Sequence, residues 1–148
     1  MGENQIDVNN SLIPGKILYL RVTFPHDLKS TNKYFIVVGL DEKVLLLKIN
    51  SEKKVTRMNR NLRECQFMIK AIQYKFLDHD SYIDCSTVWY LLSKEELFGQ
   101  ISTDPNRIVG EISDDHKNEI LRLTKNSKSI SPRHKKIINQ SFSAKYIP

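Results

Sequence analysis

The sequence predicts a mainly β fold: a compact antiparallel β-barrel that ends in a basic helical tail. Three observations predict it. Five or six short runs rich in β-branched and aromatic residues are separated by turn signals, and a capped helical segment follows the last of them. After Glu119 the chain carries seven bases and no acid. Successive short strands followed by a helix imply a small barrel and not alternating α/β layers.

The first strand is Gly15-Lys16-Ile17-Leu18-Tyr19-Leu20-Arg21-Val22, entered through the Pro14-Gly15 turn pair. A polar loop leads to Tyr34-Phe35-Ile36-Val37-Val38, whose continuous apolar character is that of a strand buried on both faces. Residues 39–43 turn the chain into Val44-Leu45-Leu46-Leu47-Lys48-Ile49, so the two runs form a hairpin. Residues 50–66 are polar and basic and form a long excursion, the kind of loop that carries function or motion. Strands follow at 67–72 and 81–91, the second rich in β-branched and aromatic residues.

Ser93-Lys94-Glu95-Glu96 is a capping box, in which the serine caps a backbone N–H and Glu96 reaches back; it predicts a short helix over 94–98. A last strand covers 107–112. Ser113 then caps a helix with Asp114 and Asp115 in its first turn and Arg122 and Lys125 near its end, as the helix dipole favours. Ile112, Ile120 and Leu123 face the barrel, with His116 packed between them or at the rim. Ser131-Pro132 is a second cap signal and predicts a short helix over 133–141. The organisation expected is a polar arm (1–12), a barrel with its terminal helix (13–126) and a basic helical tail (127–148).

A chain of 148 residues suits one domain, and at that size folding buries roughly 68–70% of the surface the unfolded chain exposes. With 40% hydrophobic and 27% charged residues it is too apolar for a disordered segment. No apolar run approaches the roughly 18 residues of a membrane span, and the polar first ten residues do not read as a secretion signal. Cys65 and Cys85 are too few for a disulfide scaffold and read as reduced thiols. The two cysteines lack CxxC spacing and the four histidines lie far apart, so neither a structural zinc site nor any other cofactor is expected. These features together place the chain in the cytoplasm.

The net charge of +6 is uneven: residues 101–148 carry nine bases and five acids. A second basic cluster runs through Lys53, Lys54, Arg57, Arg60 and Arg63. Such clusters suit a polyanion, although a solvated loop and tail have the same composition.

Two segments carry a family resemblance. One is Pro14-Gly15-Lys16-Ile17-Leu18-Tyr19-Leu20 with its loop and the apolar run at 34–38. The other is Asp80-Ser81-Tyr82-Ile83-Asp84-Cys85-Ser86, then Leu91-Leu92-Ser93-Lys94, then Gly110-Glu111-Ile112-Ser113. Over about residues 13–125 the chain resembles the PemK/MazF-like plasmid-maintenance toxins and growth inhibitors, which implies an SH3-like barrel. The resemblance also implies a homodimer, an antitoxin-like protein partner, and metal-independent endoribonuclease activity on single-stranded RNA.

In those ribonucleases an arginine opening the second strand and a threonine or serine ending the third share a groove. The resemblance carries these onto Lys33, with Tyr34 in place of a proline, and onto Asn50 followed by Ser51. Cleavage through the 2′-hydroxyl needs a proton acceptor, a proton donor and cationic stabilisation of the phosphorane-like state. Lys33 can supply charge without arginine's bidentate fork. Asn50 can position a phosphate but cannot readily trade a proton. His26, on the loop between the first two strands, has the right pKa range for acid–base work, and Lys29 can add charge beside it. The catalytic candidates are therefore Lys33, Asn50, Ser51 and His26; the nucleic-acid-binding candidates are Lys29, Lys53, Lys54, Arg57, Arg60 and Arg63.

Each has a plainer reading. A loop histidine can be merely solvated, Asn50 can be a turn residue, and Trp89 can be core or interface rather than a stacking platform. A non-catalytic barrel that binds nucleic acid or a protein partner is therefore the alternative function.

Overall fold

The computed structural model describes residues 10–54 and 59–143. Its centre is a six-stranded antiparallel sheet: β1 (Lys16–Val22), β2 (Thr31–Leu40), β3 (Val44–Asn50), β4 (Gln66–Ile69), β5 (Ser81–Trp89) and β6 (Ile108–Glu111). The strand order is β4-β5-β3-β2-β1-β6. Among the described residues four α-helices of at least five residues accompany it: α1 (Arg60–Glu64), α2 (Lys94–Thr103), α3 (Asp114–Asn126) and α4 (Pro132–Ser143).

The hairpin expected from the two apolar runs is the centre of the sheet, with Ile36 paired to Leu47 and Val37 to Leu46. Because alternate side chains point to opposite faces, a continuous apolar run demands cover on both sides. Phe35, Val37, Val44 and Leu46 join Leu18, Leu20 and the α2 residues Leu97 and Ile101 on one face. Ile36, Val38, Leu45 and Leu47 join Ile120 and Leu123 of α3 and Ile138 and Phe142 of α4 on the other.

That double cover corrects one expectation. The sheet is open: among the described residues β4 and β6 are its two edges and do not pair. Both edge strands are only four residues long, and helices, not a rolled sheet, seal the two faces. The coarse expectation of a mainly antiparallel β unit with terminal helices holds; a closed barrel does not.

Boundaries moved where local chemistry allowed. The helix announced by Ser93 runs to Thr103, since nothing in Leu97-Phe98-Gly99-Gln100-Ile101 stops it once the capping box is formed. The strand expected over 67–72 ends at Ile69, where Asp80 accepts the Ala71 amide at 2.8 Å and a 3-10 turn at Ala71–Gln73 begins. The basic segment beyond 127 is helical at Pro132–Ser143, and its apolar stripe completes the core.

Gly15 ties the start of β1 to two neighbours. Its amide donates to Val37 O and its carbonyl accepts from Ile112 N, both at 2.8 Å. Its φ of 97° is a left-handed conformation that glycine adopts without the Cβ clash.

Candidate functional site

The face of the sheet covered by α2 changes character at one end. Along β3, alternation puts Lys48 and Asn50 on the same face as Leu46, beyond the apolar cluster. One register step past the pair Tyr34–Ile49 brings Lys33 opposite Asn50, and Lys48 itself is paired with Asp84 of β5. The β3–β5 register shifts between Leu46 and Lys48, and this bulge re-aims the end of β5 so that Trp89 faces Leu46. Within it Asp84 Oδ1 accepts the Ser86 amide at 2.8 Å and also the Ser86 hydroxyl.

The β1–β2 loop folds over this end and makes a cleft of about 550 Å³, lined by Phe24, His26, Asp27, Lys33, Lys48 and Trp89, with Pro25 and Thr31 at its margin. Phe24 meets Trp89 edge-on, with ring centroids 4.8 Å apart. Lys48 Nζ lies 5.2 Å from the Phe24 centroid and 5.4 Å from that of Trp89. Burial lowers the Lys48 pKa from its ordinary value; Asp84 opposes that fall, while Lys33 and Lys54 add to it. The cleft thus joins two cations, two aromatic rings and one imidazole, with Asp27 as its carboxylate.

Asn50 is 7% exposed and lies on the same sheet face as Lys48, without lining the cleft. Its Nδ2 and the Nε1 of Trp89 are the two buried side-chain polar atoms without a hydrogen-bond partner among the described residues. Ser51 lies exposed past the strand end and outside the cleft. The structure therefore brings His26 and Lys33 together, sets Asn50 beside them in register, and leaves Ser51 out.

The expected nucleic-acid contacts divide in two. Lys29 is exposed on the loop that walls the cleft, and Lys54 is close enough to influence Lys48. The Lys54 backbone is held at both its amide and its carbonyl by the Gln66 side chain, and Lys53 beside it is exposed. Arg60 and Arg63 stand elsewhere, on α1. Arg60 is paired with Glu64 at 2.7 Å and lines a separate hollow with Arg122 and Lys128. Arg57 lies outside the described residues. A further groove of about 570 Å³ between α3 and α4 gathers Arg122, Lys125, Lys135 and Lys136.

Lys48 and Phe24 escaped the sequence reading. A usable signal existed for Lys48: it is the one charge in the run Val44-Leu45-Leu46-Leu47-Lys48-Ile49, and a charge inside a doubly buried strand needs a reason. Phe24 had none, since a single aromatic in a polar loop is ordinary.

Neither a protein-family model nor a characterised protein matches this sequence.

Proposed function

We propose that this protein binds single-stranded RNA, with the cleft between the β1–β2 loop and the ends of β2, β3 and β5 as the place where one nucleotide is held. The observation that carries this is the pairing of Lys33 and Lys48, from adjacent strands, with the Phe24–Trp89 wall in one cleft. Lysines neutralise backbone phosphate. Aromatic faces accept any base, and each such stack contributes about 1–3 kcal/mol.

His26 favours a second reading, the metal-independent endoribonuclease that the PemK/MazF-like resemblance implies. In that reaction His26 takes the proton of the 2′-hydroxyl as its oxygen attacks the adjacent phosphorus. Lys33 and Lys48 stabilise the phosphorane-like state, and the P–O5′ bond breaks as the 5′-oxygen takes a proton from solvent water. The SH3-like kinship, a homodimer and an antitoxin-like partner belong to this reading. The element order from β1 to α3 supports it.

Fluorescence anisotropy with a labelled single-stranded RNA tests the proposal. Binding should weaken steeply with salt, and Lys33→Ala with Lys48→Met should flatten the salt slope by about 1.4, two contacts at the single-strand increment. No binding, or unchanged affinity in the double variant, sinks the cleft as the RNA site. RNA incubated in EDTA separates the two readings. Cleavage that disappears in His26→Ala supports the nuclease, and intact RNA with normal binding supports the binding protein.

A further inference from the structure

Cys65 and Cys85 are both free and both buried. They lie twenty residues apart in sequence, and the fold sets them face to face. The β4–β5 register pairs Gln66 with Asp84, so one step outward places Cys65 opposite Cys85. A backbone hydrogen bond confirms that step: Cys85 N donates to Cys65 O at 2.8 Å. Both side chains belong to the cluster on the α3–α4 face of the sheet, so they point the same way. One of the two bonds of such a pair forms, since the Cys65 amide donates to Asn61 O, and directly opposed residues of an antiparallel pair have Cα atoms about 4.5–5.5 Å apart. That lies within the span of about 4.4–6.8 Å that a disulfide bridges.

The two thiols differ in access. Cys85 is fully enclosed, whereas Cys65 borders the hollow of about 300 Å³ lined by Arg60, Arg122, Lys128 and Glu64, three cations to one carboxylate, with Glu64 paired to Arg60 and Glu119 to Arg122. Cys65 is the sulfur a reagent reaches first, and those cations favour an anionic reagent. Burial raises both thiol pKa values, so the thiolate is scarce at neutral pH and the reaction is slow.

We propose that Cys65 and Cys85 form a dithiol modification site that a small anionic disulfide, of the oxidised glutathione type, closes into a cross-strand disulfide. Cys65 loses its proton and attacks one sulfur of the reagent; the reagent's S–S bond breaks and one thiol leaves. Cys85 then loses its proton and attacks the Cys65 sulfur, and the second reagent thiol leaves. Two protein S–H bonds are replaced by one S–S bond, and one reagent disulfide is reduced to two thiols. Closure joins the end of the basic excursion, α1 and β4 covalently to β5.

The test uses the full chain under native conditions with oxidised glutathione at mildly alkaline pH, read by intact mass and by peptide mapping. The expected result is a loss of two hydrogen masses, a Cys65–Cys85 linked peptide and full reversal by dithiothreitol. Cys85→Ser should instead retain glutathione on Cys65. Where that variant fails to fold, the wild-type map still decides. The glutathione redox ratio at half-closure should favour the disulfide by at least about tenfold over the same chain in urea, since the fold has pre-paired the sulfurs. An unchanged mass, retained glutathione on the wild-type chain, disulfide-linked dimers or no native-over-urea advantage overturns the proposal.

Discussion

Lys48 Nζ stands 5.4 Å from the centroid of the Trp89 indole, on the same sheet face as the carboxylate of its cross-strand partner Asp84. A cation over an aromatic face gains about 0.5–2 kcal/mol, more as water is removed. The removal of water also costs the ammonium its hydration, and that cost governs its titration.

Lys48 should titrate below 10.5, by NMR of its side-chain methylene carbons. A lysine whose folded pKa is depressed binds fewer protons folded than unfolded between the two values. Its contribution therefore makes stability rise with pH in that window. Lys48→Met keeps the stem and removes the charge, so urea denaturation at pH 7 should find stability unchanged or higher. A marked loss would mean that the cation–π contact outweighs desolvation.

Glu111 on β6 takes Lys16 of β1 at 3.1 Å and Lys117 of α3 at 3.6 Å, joining three elements. The Lys117 side chain is almost wholly buried, so Glu111→Gln leaves its ammonium, among the described residues, with Asp114 at 3.8 Å as its remaining carboxylate. Because Glu111 is half exposed, the loss should be about 1–2 kcal/mol, below the penalty for a fully buried pair. Its carboxyl pKa is lowered, chiefly by the Lys16 hydrogen bond. The stabilisation is thus present above the unfolded value of about 4.5 and lost as pH falls through the folded one. The wild-type advantage over the variant in thermal melts should shrink over that acidic range.

Tyr74 Oη lies 2.6 Å from His116 Nδ1 and accepts the Ser113 amide at 3.0 Å. It thereby fixes the N-terminus of α3 against the sheet. Burial lowers the His116 pKa against the pull of Asp115 and Glu119. Stability from the neutral imidazole is therefore complete above about pH 6.5 and is lost as pH falls through the folded value. The His116 ring protons should titrate below the free-imidazole midpoint in NMR. Tyr74→Phe should cost about 1–2 kcal/mol in chemical denaturation, since it strips the Ser113 amide and the imidazole of one partner.

Gly39 is one point of close approach between α4 and the sheet. A Cβ there would sit 2.6 Å from Ile137 Cγ2, so Gly39→Ala must displace α4 or bend β2. Overpacking of this kind costs about 1–3 kcal/mol. Hydrogen exchange should show α4 amides losing protection ahead of the sheet.

Much of the fold was legible because its signals are local. Ser93 with Glu96, Ser113 with Asp114 and Asp115, and Ser131-Pro132 each mark a helix start within one turn of chain, and the structure starts helices at all three. The doubly apolar runs at 34–38 and 44–47 identified the central hairpin in the same way. The site was legible in part: His26 and Lys33 each stand out separately in the sequence, and they line one cleft. Lys48, Phe24 and Trp89 complete it only because a loop and a bulge bring the β1–β2 loop and the ends of β2, β3 and β5 together, and no spacing along the chain records that.

Residue order alone specifies a mainly antiparallel chain with central strands buried on both faces and capped helices after the fifth strand. These follow from side-chain periodicity and from caps that act within four residues. Tertiary structure decided the rest. It left the sheet open, because α2 covers one face and α3 with α4 the other, and two four-residue edges do not meet. It seated the basic C-terminal segment in the core through Ile138 and Phe142. It also set Cys65 against Cys85 and Lys33 against Asn50, since strand register is fixed by which faces must be buried together, and burial is a property of the assembled sheet.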